Sequence, residues 1–343
     1  MFVQVIKLAG ECGLVRLGTI AVDGTKLRAK ASKHKAMSYE RMQAAEVELK
    51  AQIQALLARA AQTDVSEADE PELDIPTEIE RREQRGVAIQ AAKRRLEERQ
   101  RLADTQSGRK PDTPPADGPP GPPVQSVQPA PAAAVEAQQE SSGAAGKPAP
   151  RLKRAFGVPL PKAQDNFTDL DSRIMKTSAG FEQCFNAQTA VYSYRQIVVA
   201  AELTQCAADS GELPGMLDAV KRNNGASPKV ALADAGYRSE AVLEKLGTSP
   251  TEVIVALGRE GKTQVAINAD KLPRTAAMAA KLESAEGRAK YRRRKAIVEP
   301  PNAWIKQVLG FRQFSFRGID KVRSEFKLVC AALNLRRMAT MTA

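Results

Sequence analysis

The chain has 343 residues, 43% of them hydrophobic and only 4% aromatic, which is enough apolar material for a sizeable core and fits one to three domains. Its net charge of +12 makes a polyanion such as nucleic acid the expected partner. Four scattered cysteines without a C-x-x-C pair (Cys12, Cys184, Cys206, Cys330) argue against a disulfide framework or a zinc site, a single histidine (His34, in a basic stretch) leaves little for His-based catalysis, and no signal peptide or membrane-length apolar run is visible, so a cytoplasmic protein is expected.

Residues 1–8 form a short apolar helix candidate. Residues 17–23 follow as a buried strand ending on Asp23, with Asp23-Gly24 as its turn and a basic run from Lys26 to Lys35 after it. Residues 36–105 read as two helices. Met42, Ala45, Leu49, Ile53, Leu56 and Ala60 recur at three- and four-residue steps, with Ser38 as N-cap. A weaker seam runs through Ile79, Gly86, Ile89, Ala92 and Leu96, and the natural arrangement is an antiparallel hairpin. Residues 106–150 hold 11 of the 21 prolines and almost nothing that can be buried, the composition of a disordered Pro/Ala-rich linker.

Beyond the linker, 185–191 and 196–203 read as a strand hairpin about a turn at 192–195. Helix 211–221, strand 229–234, helix 239–246 and strand 251–257 follow, then a mostly helical stretch over 272–290. Pro300-Pro301 opens a helix to about residue 309, and a last amphipathic helix covers 319–338. A hairpin followed by alternating strands and helices indicates an α/β fold with a mixed sheet. Residues 287–343 carry 14 Lys/Arg against 3 Asp/Glu, nearly the whole net charge, with Trp304, Phe311, Phe314 and Phe316 interleaved. Such a stretch folds with its cations on one side, as a phosphate-facing surface or a solvated basic face.

Two acids occupy equivalent positions. Asp23 and Asp234 each end an apolar strand and precede a small-residue turn, Asp23-Gly24-Thr25 and Asp234-Ala235-Gly236-Tyr237. If the strands are neighbours, the carboxylates converge, and converging carboxylates repel unless a hard cation lies between them. Two such ions about 3.5–4 Å apart support in-line phosphoryl transfer. The plainer alternative is a turn aspartate or a helix cap. Glu299, beside Arg292-Arg293-Arg294-Lys295, is either an ion-pair partner or a third acid next to a phosphate-binding run.

These segments resemble insertion-sequence transposases of the DDE type. Asp23-Gly24-Thr25-Lys26 is similar to their first-acid motif and Ala233-Asp234-Ala235-Gly236-Tyr237 to their second. Tyr291, Arg294, Val298-Glu299-Pro300 and Lys306 look like the third-acid region, and 310–318 with the helix to Asn334-Leu335 like the C-terminal end. Asn166-Phe167-Thr168-Asp169, Ser172–Lys176 and 186–191 extend the likeness to nearly the whole chain outside the linker. Two positions depart from the pattern: Lys295 rather than Arg294 has the usual spacing to Glu299, and Tyr192 stands where relatives have Asp.

The resemblance implies a ribonuclease-H-like core whose first part is 1–35, interrupted by a helical hairpin at 36–105 and the linker at 106–150, and completed by 151–343. It implies Asp23, Asp234 and Glu299 as catalytic and metal-binding acids for Mg²⁺ or Mn²⁺, with two ions. Lys26, Arg28, Tyr291, Arg294, Lys295, Lys306, Arg312 and Arg317 are the expected DNA-contacting residues. The implied activity is cleavage at transposon ends and strand transfer into target DNA by a nucleoid-associated homo-oligomer. Relatives carry a longer helical segment before the first acid, so an N-terminally truncated product is expected, and an inactive remnant that only binds DNA is the alternative.

Overall fold

A computed structural model of the protein describes residues 1–63, 75–111, 154–258 and 267–342. The elements of the first half are α1 (Phe2–Glu11), β1 (Thr19–Arg28), β2 (Ala36–Ser38), α2 (Tyr39–Thr63), α3 (Ile75–Gln106), β3 (Gln164–Asn166) and β4 (Arg173–Thr177). The second half holds β5 (Gly180–Tyr192), β6 (Val198–Thr204), α4 (Leu213–Asn224), β7 (Val230–Ala233), α5 (Glu240–Leu246) and β8 (Glu252–Val255). It ends with α6 (Pro273–Glu283), α7 (Ala285–Tyr291), α8 (Arg294–Ala303) and α9 (Ile319–Thr342). Among the described residues no helix is long and apolar enough to cross a membrane.

Six strands form one mixed sheet. Its order is β4–β5–β1–β7–β8, and β6 also pairs with β5. β5 runs antiparallel to β1, β4 and β6, whereas β1, β7 and β8 are parallel. Ile20, Ala21, Val22, Ala231, Leu232 and Ala233 are fully buried, as expected for central strands covered on both faces. α4 packs on β6 and β5, α8 on β1 and β5, and α9 on β6. α1 buries Phe2, Val5, Ile6 and Ala9, one helical stripe, against α9 and α4.

Two sequence expectations need correction. Asp23-Gly24 is not a turn: β1 continues through both residues to Arg28, paired with β5 from Ile20↔Tyr192 to Arg28↔Cys184. A turn propensity is local, and the 13-residue β5 supplies an unbroken ladder that overrides it. Nor do Pro300 and Pro301 open a helix, because both lie inside α8. A proline at 300 leaves the Ala296 carbonyl without its helical donor. Gln196, at the β5–β6 turn with φ +54°, supplies that donor through Nε2 at 2.6 Å. A π-helical turn, Trp304–Val308, follows directly. The short strand β4 was not anticipated; five residues with mostly polar ends carry little periodic signal.

α2 and α3 lie antiparallel, shown by the Tyr39–Glu97, Glu46–Lys93 and Gln52–Arg82 contacts at 2.8, 2.9 and 3.2 Å. They enclose their own small core of Tyr39, Met42, Leu49, Ile89, Ala92 and Leu96. The β2–β3 pair and Asp165 tie this arm to the rest. The Asp165 carboxylate is fully buried and accepts from Arg95 Nε and Nη2 (2.9 and 2.7 Å) and from Arg99 Nη2 (2.6 Å). Of the stretch read as a linker, α3 takes in residue 106, and residues 112–150 lie outside the described residues.

Candidate active site

The parallel register of β1 and β7 sets Val22 opposite Ala233. Asp23 and Asp234, each the next residue, therefore emerge at the same level of adjacent strands. Successive strand residues face opposite sides of a sheet. Asp23 shares its face with its partner Thr189 and with α8, while Gly24 and Gln188 face the other way. Asp234 directly follows β7, extended, as the N-cap of a 3₁₀ turn (Ala235–Tyr237); its Oδ1 accepts from Gly236 N at 2.8 Å.

Burial lifts the Asp23 carboxyl from an ordinary 3.8 to about 6; Arg294 opposes the rise, and the charges of Asp234 and Asp209 add to it. Only 23% of its side chain is exposed. Asn302 Nδ2 donates to Asp23 Oδ2 at 3.0 Å, and Asn302 Oδ1 accepts from Thr189 Oγ1 at 3.2 Å. Arg294 Nη1 stands 3.6 Å from Asp23 Oδ1, an ion pair without a hydrogen bond. Arg294 is buried, yet its Nε and Nη1 have no hydrogen-bond acceptor. Such atoms are normally satisfied; here the anion nearest to Nη1 is the Asp23 carboxylate itself. Lys306 completes the cationic side: burial pulls its ammonium below its ordinary range, and Asp23 opposes that fall.

Glu299 sits on α8 between Arg294 and Asn302, three residues before Asn302, and its side chain is exposed. The helix that touches Asp23 thus also carries the third expected acid, mid-helix rather than near a helix start. Among the described residues no group of three or more His, Cys, Asp or Glu stands close enough to hold a metal ion.

The remaining expected DNA-contacting residues divide into groups. Arg28, Arg312 and Arg317 lie together, because Arg28 N donates to Arg312 O (3.2 Å), Arg28 bridges Gln313, and Arg317 Nε donates to Lys30 O (2.9 Å). Lys295 is exposed on the first turn of α8 and Tyr291 packs against the main core. Lys26 instead faces inward to Asp209, 3.6 Å away.

Asp209, in the loop between β6 and α4, was missed by sequence reasoning. Asn186 Nδ2 and Gln188 Nε2 donate to its Oδ1 at 2.6 and 2.7 Å. No strand or helix signal surrounds it. Its only sequence cue lies elsewhere, in the polar Asn186 and Gln188 inside an otherwise apolar strand.

Residues 257–339 match the family model described as "Transposase DDE domain". This supports a DDE-type transposase. The matched segment carries Arg294, Glu299 and Lys306; Asp23 and Asp234 lie outside it. No curated protein and no solved structure matches the chain.

Proposed function

We propose that this DDE-type transposase cuts DNA at transposon ends and transfers the freed strand into target DNA, with Asp23, Asp234 and Glu299 as its acids. The observation that carries the reading is the pairing of Asp23 and Asp234 on neighbouring parallel strands, with the Glu299 helix holding Asp23 through Asn302 and Arg294. The sheet, in which β4 and β6 both pair with β5 and β1, β7 and β8 follow in order, with β5 alone antiparallel among β5, β1 and β7, supports a ribonuclease-H-like core.

The chemistry of the donors, though not yet their spacing, suits Mg²⁺ or Mn²⁺. All three side chains offer hard oxygen ligands, and the carboxylates around Asp23 create a negative field that a cation relieves. When bound, the metal supplies Lewis-acid stabilisation of charge on phosphoryl oxygens. The chain's own residues do the rest. Asn302 fixes the Asp23 carboxylate, and the Arg294 guanidinium, already ion-paired with Asp23, and Lys306 supply the positive charge for a backbone phosphate beside it. Arg28, Arg312 and Arg317 hold the flanking backbone, a contribution set by charge rather than sequence. Two ends must be held at once, so the working unit is a homo-oligomer.

A duplex carrying the element's end, incubated with protein and Mg²⁺, tests this. Wild-type protein is expected to nick or join it. Asp234→Asn is expected to lose about 10²- to 10³-fold in rate while binding the duplex as before, on the order of the loss when one source of transition-state charge stabilisation is removed. Equal activity of the two proteins removes Asp234 from the site. DNA binding without metal-dependent activity in wild type would mean a protein that only holds DNA.

A further inference from the structure

Asp209 belongs to neither β1 nor β7, yet it touches the segments that carry both paired acids. On one side it lies over Gly24: a Cβ built there would stand 2.5 Å from Asp209 Oδ1 and 2.5 Å from Gln188 Nε2. On the other side it lies against Gly236, where a Cβ would stand 3.4 Å from Asp209 Oδ2 and 3.0 Å from Asp234 Oδ1. A side chain at Gly24 would therefore collide with Asp209, whereas at Gly236 Asp209 lies at ordinary contact distance and the Asp234 carboxylate is the tighter neighbour. Neither has a positive φ, so their backbones do not require glycine.

The contacts continue as a chain. Gln188, which donates to Asp209, accepts from the Tyr237 hydroxyl, and Tyr237 is the fully buried last residue of the turn capped by Asp234. The Asp209, Asp23 and Asp234 charges all push the Tyr237 hydroxyl upward, after burial. Asn186 gives an independent sign that the pocket is built for more than these contacts. It is fully buried, and its Oδ1, with no hydrogen-bond donor, lies 3.1 Å from the same point over Gly24. A buried acceptor left open beside a carboxylate is costly unless a donor or a hydrated cation comes to it.

We propose that Asp209 is a positioning residue of this site: packed against Gly24 and Gly236 from the opposite face of the sheet, it steadies the two segments that carry Asp23 and Asp234 and adds its own negative charge to the field that draws the divalent cation. The proposal rests on the metal-dependent reading above. It assigns Gly24 a role apart from any turn: an alanine there would push Asp209 away without changing a charge. It also explains why Lys26 faces inward, since it pairs with Asp209.

The test is Mn²⁺ binding by the full chain without DNA, read from the electron paramagnetic resonance signal of free Mn²⁺. Wild type, Asp234→Asn, Asp209→Asn and Gly24→Ala are compared, with thermal midpoints measured alongside. Asp209→Asn keeps the size and an accepting oxygen but removes the charge. Its Mn²⁺ dissociation constant is expected to rise about tenfold, with a midpoint near that of wild type; for a merely structural residue the midpoint would fall and the affinity would hold. Gly24→Ala is expected to weaken Mn²⁺ similarly, and it decides the matter if Asp209→Asn does not fold. Unchanged Mn²⁺ affinity in Asp209→Asn and Gly24→Ala, with Asp234→Asn impaired, overturns the proposal and leaves the wider reading standing. No Mn²⁺ binding by wild type, or full binding by Asp234→Asn, overturns both.

Discussion

Asp23 shows what the site costs the fold. Its carboxyl is raised to about 6, so between the ordinary 3.8 and about 6 the folded protein holds a proton that the unfolded chain has released. The folded state binds more protons in that window, and stability falls as pH rises through it. At neutral pH the ionised Asp23 is disfavoured by roughly 3 kcal/mol, from a shift of about two pH units at 1.36 kcal/mol each. Asp23→Asn keeps the shape and removes the charge. In metal-free buffer it is expected to raise the thermal midpoint at pH 7.5 relative to wild type, and the gain is expected to vanish below about pH 4. A lower midpoint at both pH values would show that Asp23 is held by its Arg294 and Asn302 contacts more strongly than burial opposes it. Its place at a strand-borne acid position was legible in the sequence; its perturbation was not, because burial and the charges of Asp234 and Asp209 come from distant parts of the chain.

Among the elements, the strongly periodic ones were legible. α2 and α3 fall within residues 36–106 as their apolar seams indicate, and β5, β6, β7 and β8 follow their apolar runs. What escaped were features decided by partners: the continuation of β1 through Asp23-Gly24, set by β5, and the seating of Pro300 inside α8, where Gln196 donates to the Ala296 carbonyl the proline leaves free. The attachment of the helical arm was equally hidden, because a lone aspartate in Gln164–Asn166 gives no sign of two arginines from α3. Removing one partner of a buried charge cluster strands the others. Asp165→Ala is expected to lower unfolding stability by about 3 kcal/mol and to expose α3 to proteolysis while the main sheet stays protected. An unchanged urea midpoint and digestion pattern would mean that the β2–β3 pair and the small Tyr39–Leu96 core suffice.

At the scale of the whole molecule, charge and fold agree. The cationic C-terminal region folds as α8, the π-helical turn and α9. It brings Arg294 and Lys306 to Asp23, and Arg312 and Arg317 to the end of β1. The sequence indicated a basic stretch and the acids Asp23, Asp234 and Glu299; the sheet register adds that Asp23 and Asp234 stand at one level of adjacent strands. Glu299 is exposed on the helix that holds Asp23. Anomalous scattering from crystals of the protein grown with Mn²⁺ and a short duplex tests the central claim most directly. The account predicts a peak within coordination distance of the Asp23 and Asp234 carboxylates, with Glu299 turned toward it. Mn²⁺ ordered elsewhere, or none between those two acids with DNA in place, would contradict it.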